Sequence, residues 1–127
     1  MTDRAGMSRR AIGSRGEEVA ARWYLDNGYR ILDRNWRCRE GELDLVLCRH
    51  RTVVFCEVKT RTTDRFGTGA ESVSPAKQRR IRRLAGRWLA QADPGLVGSD
   101  PVGRTSDVRF DVASLTAGLL EIVEGAF

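Results

Sequence analysis

Residues 41–61 read GELDLVLCRHRTVVFCEVKTR, and their alternation decides the fold. Leu43, Leu45 and Leu47 recur at every second position in one run, and Val54, Cys56, Val58 and Thr60 do so in the next, which is the period of a β-strand. The two runs predict a hairpin whose turn falls in Arg49 to Thr52, either a two-residue loop at His50-Arg51 or a four-residue loop over 49–52. Both loops give the same register, with Asp44 opposite Glu57 and Glu42 opposite Lys59. Successive side chains leave opposite faces, so Leu43, Leu45, Leu47, Val54, Cys56 and Val58 are expected on one face and the charged set on the other. Phe55 falls on the charged face, which implies a cover over part of it.

Like charges on adjacent strands repel unless a cation sits between them. Asp44 and Glu57 offer hard oxygen ligands suited to Mg²⁺ or Mn²⁺, ions that keep several waters and accept phosphate oxygens. Lys59 would then orient or deprotonate an attacking water and offset charge on a scissile phosphate. The plainer alternative is a solvated hairpin face whose acids and bases form ordinary salt bridges, and a Glu-x-Lys alone does not choose between them.

Upstream, Ser14 and Glu17 form a capping-box pattern ahead of an apolar helical stripe, Val19, Ala20, Trp23, Tyr24 and the neighbouring Leu25, that stops at Gly28. Residues 29–38, with Ile31, Leu32, Trp36 and the dipeptide Arg34-Asn35 in a mixed pattern, suit a first strand with an irregular middle. Downstream, a polar loop leads to Ser74-Pro75, a cap with an N1 proline, and a second helix running to about residue 92. Ile81, Leu84, Ala85, Trp88 and Leu89 form its packed face. Val108, Phe110 and Val112 alternate as a strand, and a last strand over 119–123 follows a turn at 116–118. The predicted order is α-β-β-β-α-β(-β), a three-layer α/β domain with a mixed central sheet flanked by helices.

At 127 residues the chain fits a single core, expected over 13–127 behind a flexible basic arm at 1–12, with a mobile connection at about 93–106. The odd set Cys38, Cys48 and Cys56 forms neither a disulfide framework nor a zinc pattern and reads as small buried hydrophobes in a reducing compartment. No apolar stretch approaches the roughly 20 residues of a membrane span, and the basic start lacks a signal-peptide core, so a cytoplasmic location without membrane contact is expected.

The net charge of +5 favours a polyanionic partner. Lys77, Arg79, Arg80, Arg82, Arg83 and Arg87 cover the polar circumference of the second helix, with no acid between 75 and 92 to pair them. Phosphate contact by Lys77, Arg79, Arg80 and Arg83, joined by Arg61 and Arg65 beside the hairpin, is favoured over a role in solubility alone. Trp23, Trp36 and Trp88 read as core, and His50 as a turn residue. Arg109 and Asp111 flank Phe110 on the opposite face, open to an ion pair with the hairpin or to plain exposure.

Gly16-Glu17, Arg34-Asn35, Gly41-Glu42-Leu43-Asp44, VVFCEVKTR at 53–61, Lys77, Arg109-Phe110-Asp111 and Ala126-Phe127 together resemble the YraN-like family of bacterial proteins over roughly residues 13–127. That family is a group of predicted endonucleases similar in fold to Holliday-junction resolvases within the PD-(D/E)xK, or restriction-endonuclease-like, superfamily. The resemblance implies Asp44 and Glu57 as metal ligands, Lys59 as the catalytic lysine and Glu17 as a helix-borne acid completing the metal site. Glu17 is equally open to a role in the Ser14 capping box. No proline precedes the motif aspartate, and Glu42 adds an acid whose role the pattern does not fix.

The expectation is a Mg²⁺- or Mn²⁺-dependent endonuclease hydrolysing DNA phosphodiester bonds, with structured or branched DNA, and a homodimer, implied by analogy with resolvases. A non-catalytic nucleic-acid-binding module with a vestigial acidic cluster is the alternative. A protein-interaction domain with a solubilising surface is a third.

Overall fold

The turn between the two alternating runs is the two-residue one: Arg49 pairs with Thr52, and the ladder continues to Leu45–Cys56 in the expected register. His50 takes the left-handed backbone this tight reversal needs, at φ 55°. The computed structural model describes residues 9–61, 73–92 and 107–127, with side chains from residue 15 onward. The first eight residues, Arg65 and the connection expected at 93–106 lie outside the described residues. The element order is α1 (Arg9–Asp26), β1 (Arg30–Cys38), β2 (Gly41–Arg49), β3 (Thr52–Arg61), α2 (Pro75–Gln91), β4 (Asp107–Thr116) and β5 (Leu119–Val123).

The strands form one mixed sheet in the order β1-β2-β3-β4-β5. Every neighbouring pair is antiparallel except β3 and β4, which run parallel from Thr52–Asp107 to Arg61–Thr116 on either side of the α2 connection. Ala117 and Gly118 turn β4 into β5 with φ of 50° and 83°.

Each helix covers one face. Ala20, Ala21 and Tyr24 of α1 pack on Leu45, Leu47, Val54, Cys56 and Ala113. Ile81, Leu84, Ala85 and Trp88 of α2 pack on Val46, Val53, Phe55, Phe110 and Val112. Phe55 meets Trp88 edge-on at 5.8 Å, so α2 is the cover its position implied. This is the expected three-layer α/β arrangement. Among the described residues no helix is long and apolar enough to cross a membrane.

Three local expectations change. The first helix begins at Arg9, so Ser14 and Glu17 lie inside it and form no capping box; the low helix propensity of Gly13 and Ser14, about 1 kcal/mol at most each, is overridden. Its buried face is rotated toward Gly16, Ala20 and Tyr24, leaving Leu25 45% exposed. The small residues bring the helix axis down on β3: a Cβ on Gly16 would run into Thr60 Oγ1. The predicted stop at Gly28 holds, with the Tyr29 amide donating to Tyr24 O at 3.0 Å and the Gly28 amide to Leu25 O at 3.1 Å, a Schellman ending.

The third change bears on the site. Leu43 does not share a face with Leu45 and Leu47; it packs in the α2 core beside Val46. The charged face of the hairpin is correspondingly apolar through Val46, Val53 and Phe55, with its acids gathered at the open end. The β2–β3 ladder stops at Leu45–Cys56, freeing β2 to change face across Asp44. In β1 the irregular middle appears as a register shift between Ile31 and Asp33, followed by a left-handed Asn35, φ 52°, between the Arg34–Leu45 and Trp36–Leu43 pairs.

Candidate active site

Where β2 parts from β3, the Asp44 carboxylate accepts the Val58 amide at 2.8 Å, a side chain taking the place of a ladder partner. The face change turns Asp44 and Glu42 toward α1, and the close seat of Gly16 brings the next residue, Glu17, to meet them. Glu17, Glu42 and Asp44 each offer a carboxylate oxygen, all within 4.8 Å of one another. Oxygens around an octahedral Mg²⁺ stand about 2.9 Å apart in cis and about 4.2 Å in trans, so side-chain adjustments of less than about an ångström close this group on an ion.

The electrostatics fit a cation. Burial, then the neighbouring Glu57 charge, pushes the Asp44 pKa up to about 7; the Val58 hydrogen bond opposes this and Glu17 adds to it. At Asp44, burial and the adjoining acids thus outweigh the pull of Lys59 and Lys77. Glu42 is half-engaged by Arg37 at 3.1 Å on the outer side.

Glu57 is only 9% exposed and is held differently. Its Oε1 takes Lys77 Nζ at 2.7 Å and Lys59 Nζ at 3.6 Å. Burial lowers the Lys59 pKa and the hydrogen bond with Lys77 lowers it further, against the pull of Glu57 and Asp44. Burial also opposes charge on Lys77, but its hydrogen bonds to Glu57 and Lys59 outweigh this and raise its pKa. The two amines are thus shifted in opposite directions, Lys59 down and Lys77 up.

Of the expected site residues, Asp44 and Glu17 come together with Glu42, the acid without an assigned role. Glu57 lies next to Asp44 and between the lysines. Lys77, expected among the phosphate contacts, belongs to this centre: Ser74 Oγ accepts its amide at 3.2 Å, fixing it in the first turn of α2. The other arginines of α2 differ among themselves. Arg83 and Arg87 are paired by Glu40 of the β1–β2 turn, at 3.9 and 2.5 Å. Arg82 lies over the Phe110 and Phe127 rings. Arg79 and Arg80 are exposed and have no ion-pair partner among the described residues. Arg61 ends β3 half-exposed.

Arg109 and Asp111 pair with each other. Asp111 is fully buried, takes both Arg109 Nε and Nη2 at 2.8 Å, and accepts Tyr24 Oη at 2.6 Å and the Gly125 amide at 3.0 Å. Arg109 also donates to Tyr29 Oη at 2.8 Å. Burial and the adjacent Asp111 raise the Tyr24 pKa far above its ordinary range, so this hydroxyl stays a donor. Only the apolar alternation around Phe110 pointed here, by sending its neighbours to the α1 face. The cysteines are free, and Cys48 and Cys56 are buried as expected.

The sequence profile described as "Uncharacterised protein family UPF0102" matches residues 16–115. A UPF0102 protein of Mycolicibacterium vanbaalenii is 49% identical over 117 residues, 92% of this chain and 89% of that one. Another, from Frankia alni, is 56% identical over 102 residues, 80% and 78% of the respective chains. One from Nocardia farcinica is 49% identical over 107 residues, 84% and 77%.

Proposed function

The chain belongs to the uncharacterised protein family UPF0102, and from its acid-and-lysine centre we propose that it is a Mg²⁺- or Mn²⁺-dependent endonuclease of the PD-(D/E)xK type, hydrolysing DNA phosphodiester bonds. The observation that carries this is the convergence of Glu17, Glu42 and Asp44 within 4.8 Å, from a helix and a strand, beside a lysine whose pKa is lowered. The order α-β-β-β-α-β, with β3 and β4 parallel, agrees with the fold the resemblance implies.

Glu17, Glu42 and Asp44 would hold the ion, with Glu57 adjoining. A bound Mg²⁺ or Mn²⁺ would polarise a phosphate oxygen and lower the pKa of a water. Lys59 Nζ orients the attacking water or takes its proton as the water oxygen bonds to phosphorus, and the ester oxygen leaves with the bonding electron pair and takes a proton from solvent. Lys77, charged and fixed by Glu57, offsets negative charge on the phosphate and keeps Lys59 oriented. Exposed arginines on α2 supply sequence-independent affinity for the backbone. A junction with two scissile strands would take two such centres, hence a homodimer.

The test is cleavage of labelled four-way-junction, flap, single-stranded and linear DNA with Mg²⁺ or Mn²⁺, comparing wild type with Glu57→Ala and Lys59→Ala. Loss of cleavage in both variants, with folding and DNA binding retained, is expected. Salt-sensitive DNA binding by wild type with no cleavage of any substrate would replace the nuclease with a non-catalytic binding module.

A further inference from the structure

Resting on the nucleic-acid reading above, we infer that the β1–β2 turn and one flank of α2 form a track for a nucleic-acid backbone, and that Glu40 occupies it in the free protein as an internal substitute for a phosphate.

Arg80, Arg83 and Arg87 follow i, i+3, i+7 and so share one flank of α2. Lys77 and Arg82 lie on other sides, against the acid centre and against Phe110. The flank faces the β1–β2 turn: a Cβ on Gly41 would stand 3.8 Å from Arg80 Cδ, and Glu40 bonds Arg87 at 2.5 Å with Arg83 at 3.9 Å. Residues Arg37 to Glu42 line an open hollow of about 410 Å³ at the β1–β2 turn. Glu42 lines this hollow and is also a member of the acid centre. From Arg80 to Arg87 the helix rises about 10 Å, the rise of roughly three base pairs.

Two guanidiniums meeting on a single carboxylate is the arrangement that binds a phosphate. The pairs are half-exposed, with Arg83 at 61%, Arg87 at 56% and Glu40 at 35%, so they contribute little to stability and exchange readily for another anion. Gly41 sits where the turn meets α2: a side chain there would crowd Leu84 Cδ1 at 3.2 Å and touch Arg80. Glu40 therefore holds the arginines in place and raises the threshold for non-specific binding.

The experiment is fluorescence anisotropy of labelled single-stranded and duplex DNA, without divalent metal, across a salt series. Wild type is compared with Glu40→Gln, with Arg83→Ala/Arg87→Ala, and with Glu121→Gln, an equal charge change on exposed β5. Glu40→Gln is expected to tighten binding several-fold and to steepen the salt dependence by one or two phosphate contacts, about 0.7–0.9 each in log–log slope. The double arginine variant is expected to weaken binding and flatten the slope, while Glu121→Gln leaves the slope unchanged. Equal behaviour of the two glutamate variants while wild type binds DNA overturns the track and leaves the nuclease reading standing. Absence of salt-sensitive DNA binding by wild type overturns both. Equal affinity for a polyglutamate peptide would overturn the phosphate assignment and favour an acidic protein.

Discussion

Asp44 is where the cost of the site is concentrated. Its folded-state pKa of about 7 lies above the ordinary carboxylate value, so between about pH 4 and pH 7 the folded protein keeps a proton that the unfolded chain gives up. Stability of the metal-free protein therefore falls as pH rises through that window. Asp44→Asn retains the shape and an acceptor for the Val58 amide but removes the charge. It is expected to stabilise the metal-free protein at pH 7.5 by about 1 kcal/mol, on the order of 4 °C in Tm. The advantage should vanish near pH 4, where wild type is protonated. Mg²⁺ or Mn²⁺ should raise the Tm of wild type and leave Asp44→Asn unmoved. Thermal melts over a pH series with and without the ion check both; a variant less stable than wild type at pH 7.5 would mean that the Asp44 charge is compensated within the protein. Alternation put Asp44, Glu57 and Lys59 among the charged residues of the hairpin, and their roles came from the family resemblance; the expected Asp44–Glu57 pair falls beyond the end of the ladder at Leu45–Cys56. Glu42 was not assigned, because its turn toward Glu17 depends on where the β2–β3 ladder ends, which strand period does not reveal.

At the scale of elements, local periodicity was sufficient for most of what is observed. Alternation and the Ser74-Pro75 and Gly28 signals act within a few residues, so the α-β-β-β-α-β-β order, the hairpin register and both helix stops could be read directly. The α1 start and its buried face could not, since they follow from how closely the helix approaches the sheet. That approach rests on Gly16, whose missing Cβ leaves room for Thr60 Oγ1, a buried hydroxyl without a hydrogen-bond partner among the described residues. Gly16→Ala sets about 1 kcal/mol gained in helix propensity against overpacking of about 1–3 kcal/mol, for an expected net loss of about 1 kcal/mol. Thr60→Ala should recover most of it, since it removes the obstructing oxygen and an unsatisfied polar atom together. Urea denaturation of the two single variants and the double variant gives the coupling directly. Additive effects would place the tight contact elsewhere.

Over the whole molecule, charge is separated into three regions. The acid centre lies at the open end of the hairpin, arginines line α2, and a neutralised buried network ties the far side together. That network is centred on Asp111, which links α1 through Tyr24, the start of β1 through Arg109 and Tyr29, and the C-terminal segment through Gly125. The segment continues onto the other face, where the Ala126 amide donates to Phe110 O at 2.7 Å and the Phe127 ring stacks on Phe110 at 5.2 Å. Asp111 thus connects both cores while taking no part in the acid centre. Asp111→Ala would leave Arg109 without its bidentate partner and Tyr24 Oη without an acceptor, at a cost of about 3–5 kcal/mol. Tyr24→Phe removes one hydrogen bond of the same network and should cost about 1–2 kcal/mol. Against a total of about 5–15 kcal/mol for a domain of this kind, the first variant approaches the unfolding threshold and the second does not. The graded pair is read by urea midpoints, with divalent-metal affinity of the folded fraction as the second measurement. Metal affinity should be unchanged in Tyr24→Phe, because the Tyr24 hydroxyl bonds Asp111 and not Glu17, Glu42 or Asp44. A variant that keeps its stability but loses the ion would mean that the network orients the acid centre as well as closing the fold.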